Sequence, residues 1–144
     1  MKSAVETTDT GRSSQLLIVD DDDSVRLRLV EAFGLDGYTA VGAADLAEAR
    51  SELRKGACDL VLLDVNLPDG TGYELLRGLR TGKLRPPEHT LAQLPVVMVS
   101  GRGAEFDRIR GFEFGCDDYV TKPYSFGELR GRVAAVLRRS TTVG

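Results

Sequence analysis

Residues 16–23 read LLIVDDDD, four apolar side chains followed at once by four aspartates. An apolar run without alternation is typical of a strand that is buried on both faces. Apolar residues then recur at helical spacing, at Val25, Leu29, Ala32 and Phe33. The stretch predicts a strand, an acidic loop and a helix. Asp23 or Ser24 is the expected N-cap, because a side-chain oxygen there can accept from free first-turn amides.

The rest of the chain repeats this unit of strand, loop and helix. Further strands are predicted at 38–41, 59–63, 96–99 and 119–120, and further helices at 44–55, 73–79, 106–114 and 129–137. Alternating strands and helices indicate a parallel sheet between two helix layers, and right-handed crossovers leave few ways to wind it. We predict an α/β fold, a flavodoxin-like, doubly wound (βα)5 domain with a parallel sheet of order 2-1-3-4-5.

The composition agrees with one folded domain. The chain has 144 residues, 42% of them hydrophobic, and a formal net charge of −3, whereas an isolated nucleic-acid binder usually carries a basic excess. Its two cysteines, Cys58 and Cys116, and its lone His89 supply neither a disulfide framework nor a zinc site. We expect both thiols to stay reduced, since strand 4 separates the two strands that they precede.

The folded domain is expected to cover residues 15–139. Residues 1–14 are polar and aperiodic and indicate a disordered tail or an added leader, and residues 140–144 a tail or the start of a linker. Residues 82–94 make a long connection, which we interpret as a surface insertion. No apolar run approaches the length of a membrane span, so we expect a cytoplasmic protein without membrane contact.

Acidic side chains follow two strands that lie next to each other in the predicted sheet. Asp20 and Asp21 follow strand 1, and Asp64 follows strand 3, at the edge where a doubly wound sheet binds its ligand. Two like charges about 4 Å apart repel by about 4 kcal/mol at an effective dielectric of 20, so a cation is needed. Only oxygen ligands are available, which favours Mg²⁺, with the backbone carbonyl of Asn66 as a further ligand.

Two more strand ends add groups that bind phosphate. Ser100 follows strand 4 and offers a hydroxyl, and Lys122 follows strand 5 and offers an ammonium group. Either residue alone would be ordinary surface chemistry. Since both end strands at the same edge as the aspartates, the sequence predicts a phosphoryl-binding site.

Four stretches of the sequence resemble the receiver domain of two-component response regulators. They are VDD at 19–21, LDVNLPDG at 63–70, VSG at 99–101 and YVTKP at 119–123. The resemblance implies that Asp64 is the phosphoacceptor, that Ser100 and Lys122 bind the phosphoryl group and that Tyr119, with Ser100, acts in switching. It also implies a magnesium site made by Asp20, Asp21, Asp64 and the Asn66 carbonyl, and a cis Lys122–Pro123 peptide.

Within that family, residues 107–139 are similar to receivers of winged-helix transcriptional regulators. Such receivers pair through helix 4, strand 5 and helix 5. The resemblance implies charge pairs across that face, Arg108 with Glu128 and Asp118 with Arg132. Apolar candidates for the same interface are Ile109, Leu129 and Val133, if they are exposed. A merely solvated charged face is the alternative.

The resemblance implies a signalling switch in which Asp64 accepts a phosphoryl group from a partner histidine kinase. The chain would catalyse only its own phosphotransfer and autodephosphorylation, dimerise when phosphorylated and control transcription. DNA contact would require a further domain after Gly144. The alternatives are a stand-alone receiver that acts by protein binding, or a magnesium-dependent phosphohydrolase, which normally has a second aspartate where this chain has Asn66.

Overall fold

The computed structural model describes residues 13–82, 92–101 and 105–143. The strands are β1 (Gln15–Val19), β2 (Thr39–Ala43), β3 (Leu60–Asp64), β4 (Val96–Ser100) and β5 (Asp118–Thr121). The helices are α1 (Asp23–Leu35), α2 (Leu46–Arg54), α3 (Gly72–Thr81), α4 (Glu105–Phe114) and α5 (Phe126–Val143). The predicted tail up to residue 12 and most of the predicted insertion, with His89, lie outside the described residues.

The strands form one parallel sheet of order β2-β1-β3-β4-β5, which confirms the predicted topology. Each face of the sheet is covered by its own layer of helices. On β1, Leu16 and Ile18 belong to the cluster under α1 and α5, whereas Leu17 and Val19 belong to the cluster under α2 and α3. Because side chains alternate along a strand, burial on both faces explains why the run has no polar residue.

Helix α1 begins one residue earlier than the sequence predicts. Asp22 is the N-cap, and its carboxylate accepts from the backbone N–H groups of Ser24 at 3.0 Å and Val25 at 3.1 Å. Asp23 stands in the first turn and pairs instead with Arg26. The predicted caps were wrong because four consecutive aspartates offer several equivalent candidates.

A second, very small sheet follows β3. Asn66–Leu67 pairs antiparallel with Gly70–Thr71 around a turn at Pro68 and Asp69. Gly72 then begins α3 directly against the sheet, and its N–H donates to the Val65 carbonyl at 2.7 Å. A Cβ on Gly72 would collide with the backbone carbonyl oxygen of Asp64. The start of α3 is therefore packed on the residue at the end of β3.

Asp69, in that turn, caps a different helix. Its carboxylate accepts from the backbone N–H groups of Leu46 at 2.8 Å and Ala47 at 3.1 Å, at the start of α2. The hydrogen bond from Leu46 lowers the pKa of the Asp69 carboxyl. The contact joins the loop after β3 to the neighbouring helix.

Asp69→Ala is expected to lower the free energy of unfolding at pH 7, because two amides at a helix start lose their acceptor. A carboxyl with a lowered pKa stabilises the fold above its ordinary pKa, and the contribution is lost as the pH falls through the lowered value. Urea unfolding at pH 7 and near pH 3 checks this: the difference between wild type and variant should shrink at the lower pH. An equal difference at both pH values would contradict this prediction. Asp69→Asn is the control that removes the charge and keeps the size of the side chain.

Three further features bear on the sequence predictions: the end of α5, the two cysteines and the character of the helices. Helix α5 continues to Val143, so the domain boundary predicted at Arg139 falls inside a helix. Cys58 and Cys116 are both free thiols, and burial raises their pKa to about 11 and about 12. Among the described helices, none has the length and apolar character that a membrane crossing requires.

Candidate functional site

Three carboxylates meet at the carboxyl edge of the sheet, where β1 and β3 end. One oxygen each from Asp20, Asp21 and Asp64 lies within 4.8 Å of the others. Asp20 and Asp64 are only 4% and 6% exposed, whereas Asp21 faces solvent. The predicted acidic cluster is therefore present, and two of its members are buried.

The environment of Asp20 disfavours its negative charge. Burial raises the pKa of the Asp20 carboxyl, and the neighbouring charges of Asp64 and Asp21 act in the same direction. A hydrogen bond from the Asp22 N–H at 2.9 Å opposes them without cancelling them. Carboxylates held together at such a cost are typical of a site that binds a cation.

Lys122, from the loop after β5, provides a positive charge beside the cluster. Its Nζ donates to Asp64 Oδ2 at 3.0 Å and lies 3.9 Å from Asp20 Oδ2. Burial alone would lower the pKa of Lys122, but the hydrogen bond to Asp64 and the two carboxylate charges outweigh it, and the pKa is raised. The ammonium group is therefore charged at neutral pH. The Lys122–Pro123 peptide is cis, as predicted.

Ser100 and Asn66 complete the predicted set. Ser100 is buried at the end of β4, and its carbonyl accepts from the Lys122 N–H at 2.7 Å. Asn66 is exposed two residues after Asp64, and its backbone N–H donates to Asp64 Oδ1 at 3.2 Å. Asn66 thus contacts Asp64, and Ser100 follows Val99, the residue that is paired with Asp64 on the adjacent strand.

Sequence reasoning missed Arg26, which supports the acidic loop. Its Nη1 donates to the Asp20 carbonyl at 2.7 Å, and its Nη2 pairs with Asp23 Oδ1 at 2.6 Å. The stem of the side chain lies over Gly42, where an added Cβ would be 2.9 Å from the Arg26 Cδ. A side chain at 42 would force the Arg26 side chain to shift, and no pattern in the sequence joins the two positions.

Tyr119, the predicted switch residue, is buried in β5. Its hydroxyl lies 3.2 Å from the hydroxyl of Tyr73 on α3. The ring also stands against α4, with the Phe112 ring centroid 6.4 Å away. The residue predicted to report the state of the site is therefore in contact with two helices.

Three of the four charged residues of the predicted dimer face pair within one chain. Arg132 Nη1 donates to both carboxylate oxygens of Asp118 at 3.1 Å, and its Nε donates to Glu128 at 3.3 Å. These contacts raise the pKa of Arg132. Of the predicted apolar contacts, Ile109 is exposed, but Leu129 and Val133 are fully buried and were wrong as interface candidates. Phe112, on α4, is a second exposed apolar residue; Arg108 is also exposed.

A parallel sheet whose carboxyl edge carries buried aspartates, a serine and a lysine defines a class of signalling domains that are controlled by phosphorylation. The chain matches the family model of the response regulator receiver domain over residues 16–134. It belongs to that family.

Its relatives include transcription factors. The chain is 38% identical over 125 residues to the phosphate regulon transcriptional regulatory protein PhoB of Escherichia coli, a match that covers 87% of this chain and 52% of PhoB. It is also 38% identical to the alkaline phosphatase synthesis transcriptional regulatory protein PhoP of Bacillus subtilis, over 89% of this chain and 50% of PhoP. The chain spans about half the length of these relatives.

Solved receiver domains have the same fold. A receiver domain protein from Methanospirillum hungatei superposes with a TM-score of 0.79 at 27% identity, covering 92% of this chain and 99% of that chain. The receiver domain of a Francisella response regulator also gives a TM-score of 0.79, at 28% identity over 89% of this chain and 99% of that chain.

Proposed function

We propose that this domain is a phosphorylation switch in which Asp64 accepts a phosphoryl group from a phosphohistidine of a partner histidine kinase. The observation that carries the proposal is the 3.0 Å contact between Lys122 Nζ and the buried Asp64 carboxylate, beside two further aspartates. A lone ion pair would need no such cluster. The set of groups fits an anionic phosphoryl group bound together with a cation.

In the proposed reaction, a carboxylate oxygen of Asp64 attacks phosphorus in line with the imidazole. The new O–P bond forms as the P–N bond breaks, and the imidazole leaves with that electron pair. Lys122 stays charged and neutralises a phosphoryl oxygen, and the Ser100 hydroxyl donates to another. Water then hydrolyses the aspartyl phosphate, which releases inorganic phosphate and restores the Asp64 carboxylate, so the domain catalyses only its own phosphorylation and dephosphorylation.

We assign a magnesium site to Asp20, Asp21, Asp64 and the backbone carbonyl of Asn66. Oxygen ligands of this kind suit Mg²⁺, and three carboxylates held within 4.8 Å support a divalent ion. When bound there, the ion supplies positive charge that neutralises phosphoryl oxygens. Arg26 holds the loop that carries two of the carboxylates.

The proposed readout is a change in the surface made by α4, β5 and α5. A phosphoryl group on Asp64 draws the Ser100 hydroxyl toward it, and the ring of Tyr119, on the adjacent strand, turns inward into the space that this leaves. Relatives named as transcriptional regulators support a transcriptional output in the cytoplasm, with DNA bound by a further domain. The alternative is a stand-alone receiver that acts by protein binding. Asn66 in place of a second aspartate argues against a phosphohydrolase.

Incorporation of phosphate from acetyl phosphate tests this function. In the presence of Mg²⁺, the intact mass of the wild-type protein is expected to rise by one phosphoryl group, because a small acyl phosphate can replace the kinase as donor. Chelation with EDTA should abolish the gain. A wild-type protein that gains no mass under these conditions would contradict the proposal.

We further propose that phosphorylation favours a symmetric dimer through the same surface, with Ile109 and Phe112 as its exposed apolar residues. Beryllofluoride, which mimics an acyl phosphate, is expected to strengthen association in sedimentation equilibrium. Arg132→Glu should weaken the association constant about tenfold, because the reversed charge can turn into solvent in the monomer but is confined beside carboxylates in the interface, and a two-fold interface contains this repulsion twice. Arg130→Glu is the matched control, since Arg130 lies on the same helix but pairs with Asp36, the C-cap of α1. Equal effects of the two variants, or none from beryllofluoride, would exclude this surface.

A further inference from the structure

The buried position of Tyr119 is shaped by α4. The ring lies against Gly111, where an added Cβ would be 3.0 Å from Cδ2 and 3.1 Å from Cε2 of the tyrosine. Contacts this short are tighter than side chains normally make, so the ring occupies the space that any other residue at 111 would fill. A glycine in the middle of a helix is less favourable than alanine, and here it gives room to an aromatic ring.

Tyr73, on α3, is the second residue that contacts Tyr119. Its ring packs under α4, with the Phe114 ring centroid 5.9 Å away and the Arg110 guanidinium 5.6 Å from its centroid. Tyr73 also follows Gly72, whose backbone is packed on the carbonyl of Asp64. A single residue therefore touches α4 and β5 while standing next to the point where α3 contacts the phosphoacceptor.

The two hydroxyls are buried together. Tyr73 and Tyr119 are each 5% exposed, and their oxygens lie 3.2 Å apart. A buried hydroxyl that loses its partner keeps the full cost of desolvation, whereas removing both partners can be nearly neutral. The bond therefore favours the conformer in which the Tyr119 ring points inward, since rotating that ring outward leaves the Tyr73 hydroxyl short of one partner.

We propose that Tyr73 is a positioning residue that holds Tyr119 inward and thereby sets how readily the domain takes its phosphorylated form. The inference rests on the proposed function, because it takes Tyr119 as the switch and the inward ring as the arrangement that phosphorylation favours. A neutral buried hydrogen bond changes an equilibrium by about three- to tenfold. That is the size of effect expected when Tyr73 loses its hydroxyl.

The test combines ring NMR with beryllofluoride titration. In protein labelled with ¹³C in the tyrosine rings, four tyrosines give a small set of signals, and Tyr119→Phe identifies the one from Tyr119. Tyr73→Phe is expected to move the Tyr119 signal toward that of an exposed ring and to weaken beryllofluoride affinity three- to tenfold. Tyr38→Phe is the matched control, because Tyr38 packs on Phe33 in the opposite layer, and it should change neither readout.

The double variant Tyr73→Phe/Tyr119→Phe separates the hydrogen bond from general packing. With neither hydroxyl present, the rings remain apolar and buried, so beryllofluoride affinity should return toward the wild-type value. An unchanged Tyr119 signal in Tyr73→Phe overturns the proposal, and so does a moved signal with unchanged affinity. A wild-type protein that binds no beryllofluoride would instead refute the proposed function, while the Tyr119 signal still reports whether Tyr73 holds the ring.

Discussion

The Asp64→Ala variant is expected to gain no phosphoryl mass from acetyl phosphate and Mg²⁺, under conditions in which the wild type gains one group. The expected loss is complete, because the variant removes the nucleophile and not a contact that assists it. Asp64 is also the carboxylate that Lys122 touches at 3.0 Å. Intact-protein mass spectrometry measures the gain directly.

Asp23→Ala is the matched control for this result. Asp23 belongs to the run of aspartates at the same edge, but it is exposed and pairs with Arg26 outside the cluster. The control should keep the mass gain. A gain that persists in Asp64→Ala would contradict the assignment, because another side chain would then carry the phosphoryl group.

Gly72→Ala is expected to lower the free energy of unfolding by about 3 kcal/mol, at the upper end of what overpacking costs. The added methyl group would collide with the Asp64 carbonyl oxygen and approach the Leu63 side chain within 3.0 Å. Backbone at the end of a central strand has little freedom to withdraw. Urea unfolding followed by circular dichroism measures the change.

Gly131→Ala is the control for the same chemical change. Gly131 lies within α5, and nothing stands within 4 Å of the position that its Cβ would take. Alanine there should raise the free energy of unfolding by about 0.5 to 1 kcal/mol, because it restricts the unfolded chain and favours the helix. If Gly72→Ala behaved like Gly131→Ala, the close packing of α3 on the end of β3 would be wrong.

Features that depend on uninterrupted runs were predictable from the sequence. The run at 16–19 and its counterpart at 60–63 are apolar at every position, and a central parallel strand is the element that needs this pattern. The charged or polar residue that ends each strand then indicates the edge of the sheet. The acidic cluster and Lys122 could be placed together for that reason, before any distance was known.

Features that depend on contacts between distant side chains were not predictable. Nothing in the spacing of Tyr73 and Tyr119 indicates that their hydroxyls meet. Likewise, no sequence pattern indicates that the Arg26 side chain lies over Gly42. The sequence does not tell whether Leu129 is exposed, because helical periodicity gives a face but not the layer against which it packs. The two-residue strand at Asn66–Leu67 is too short to produce a periodic signal.

The pairing of Arg132 with Asp118 inside one chain changes what association can gain from charge. If Arg132 reaches across a two-fold axis to the partner's Asp118, it must first break its ion pair with Asp118 of its own chain. Dimerisation then exchanges ion pairs without adding to their number, and dissolved salt screens both sides of the equilibrium alike. The association constant should therefore depend only weakly on ionic strength. In such an exchange, the charges discriminate among candidate partners, and the apolar contacts provide the affinity.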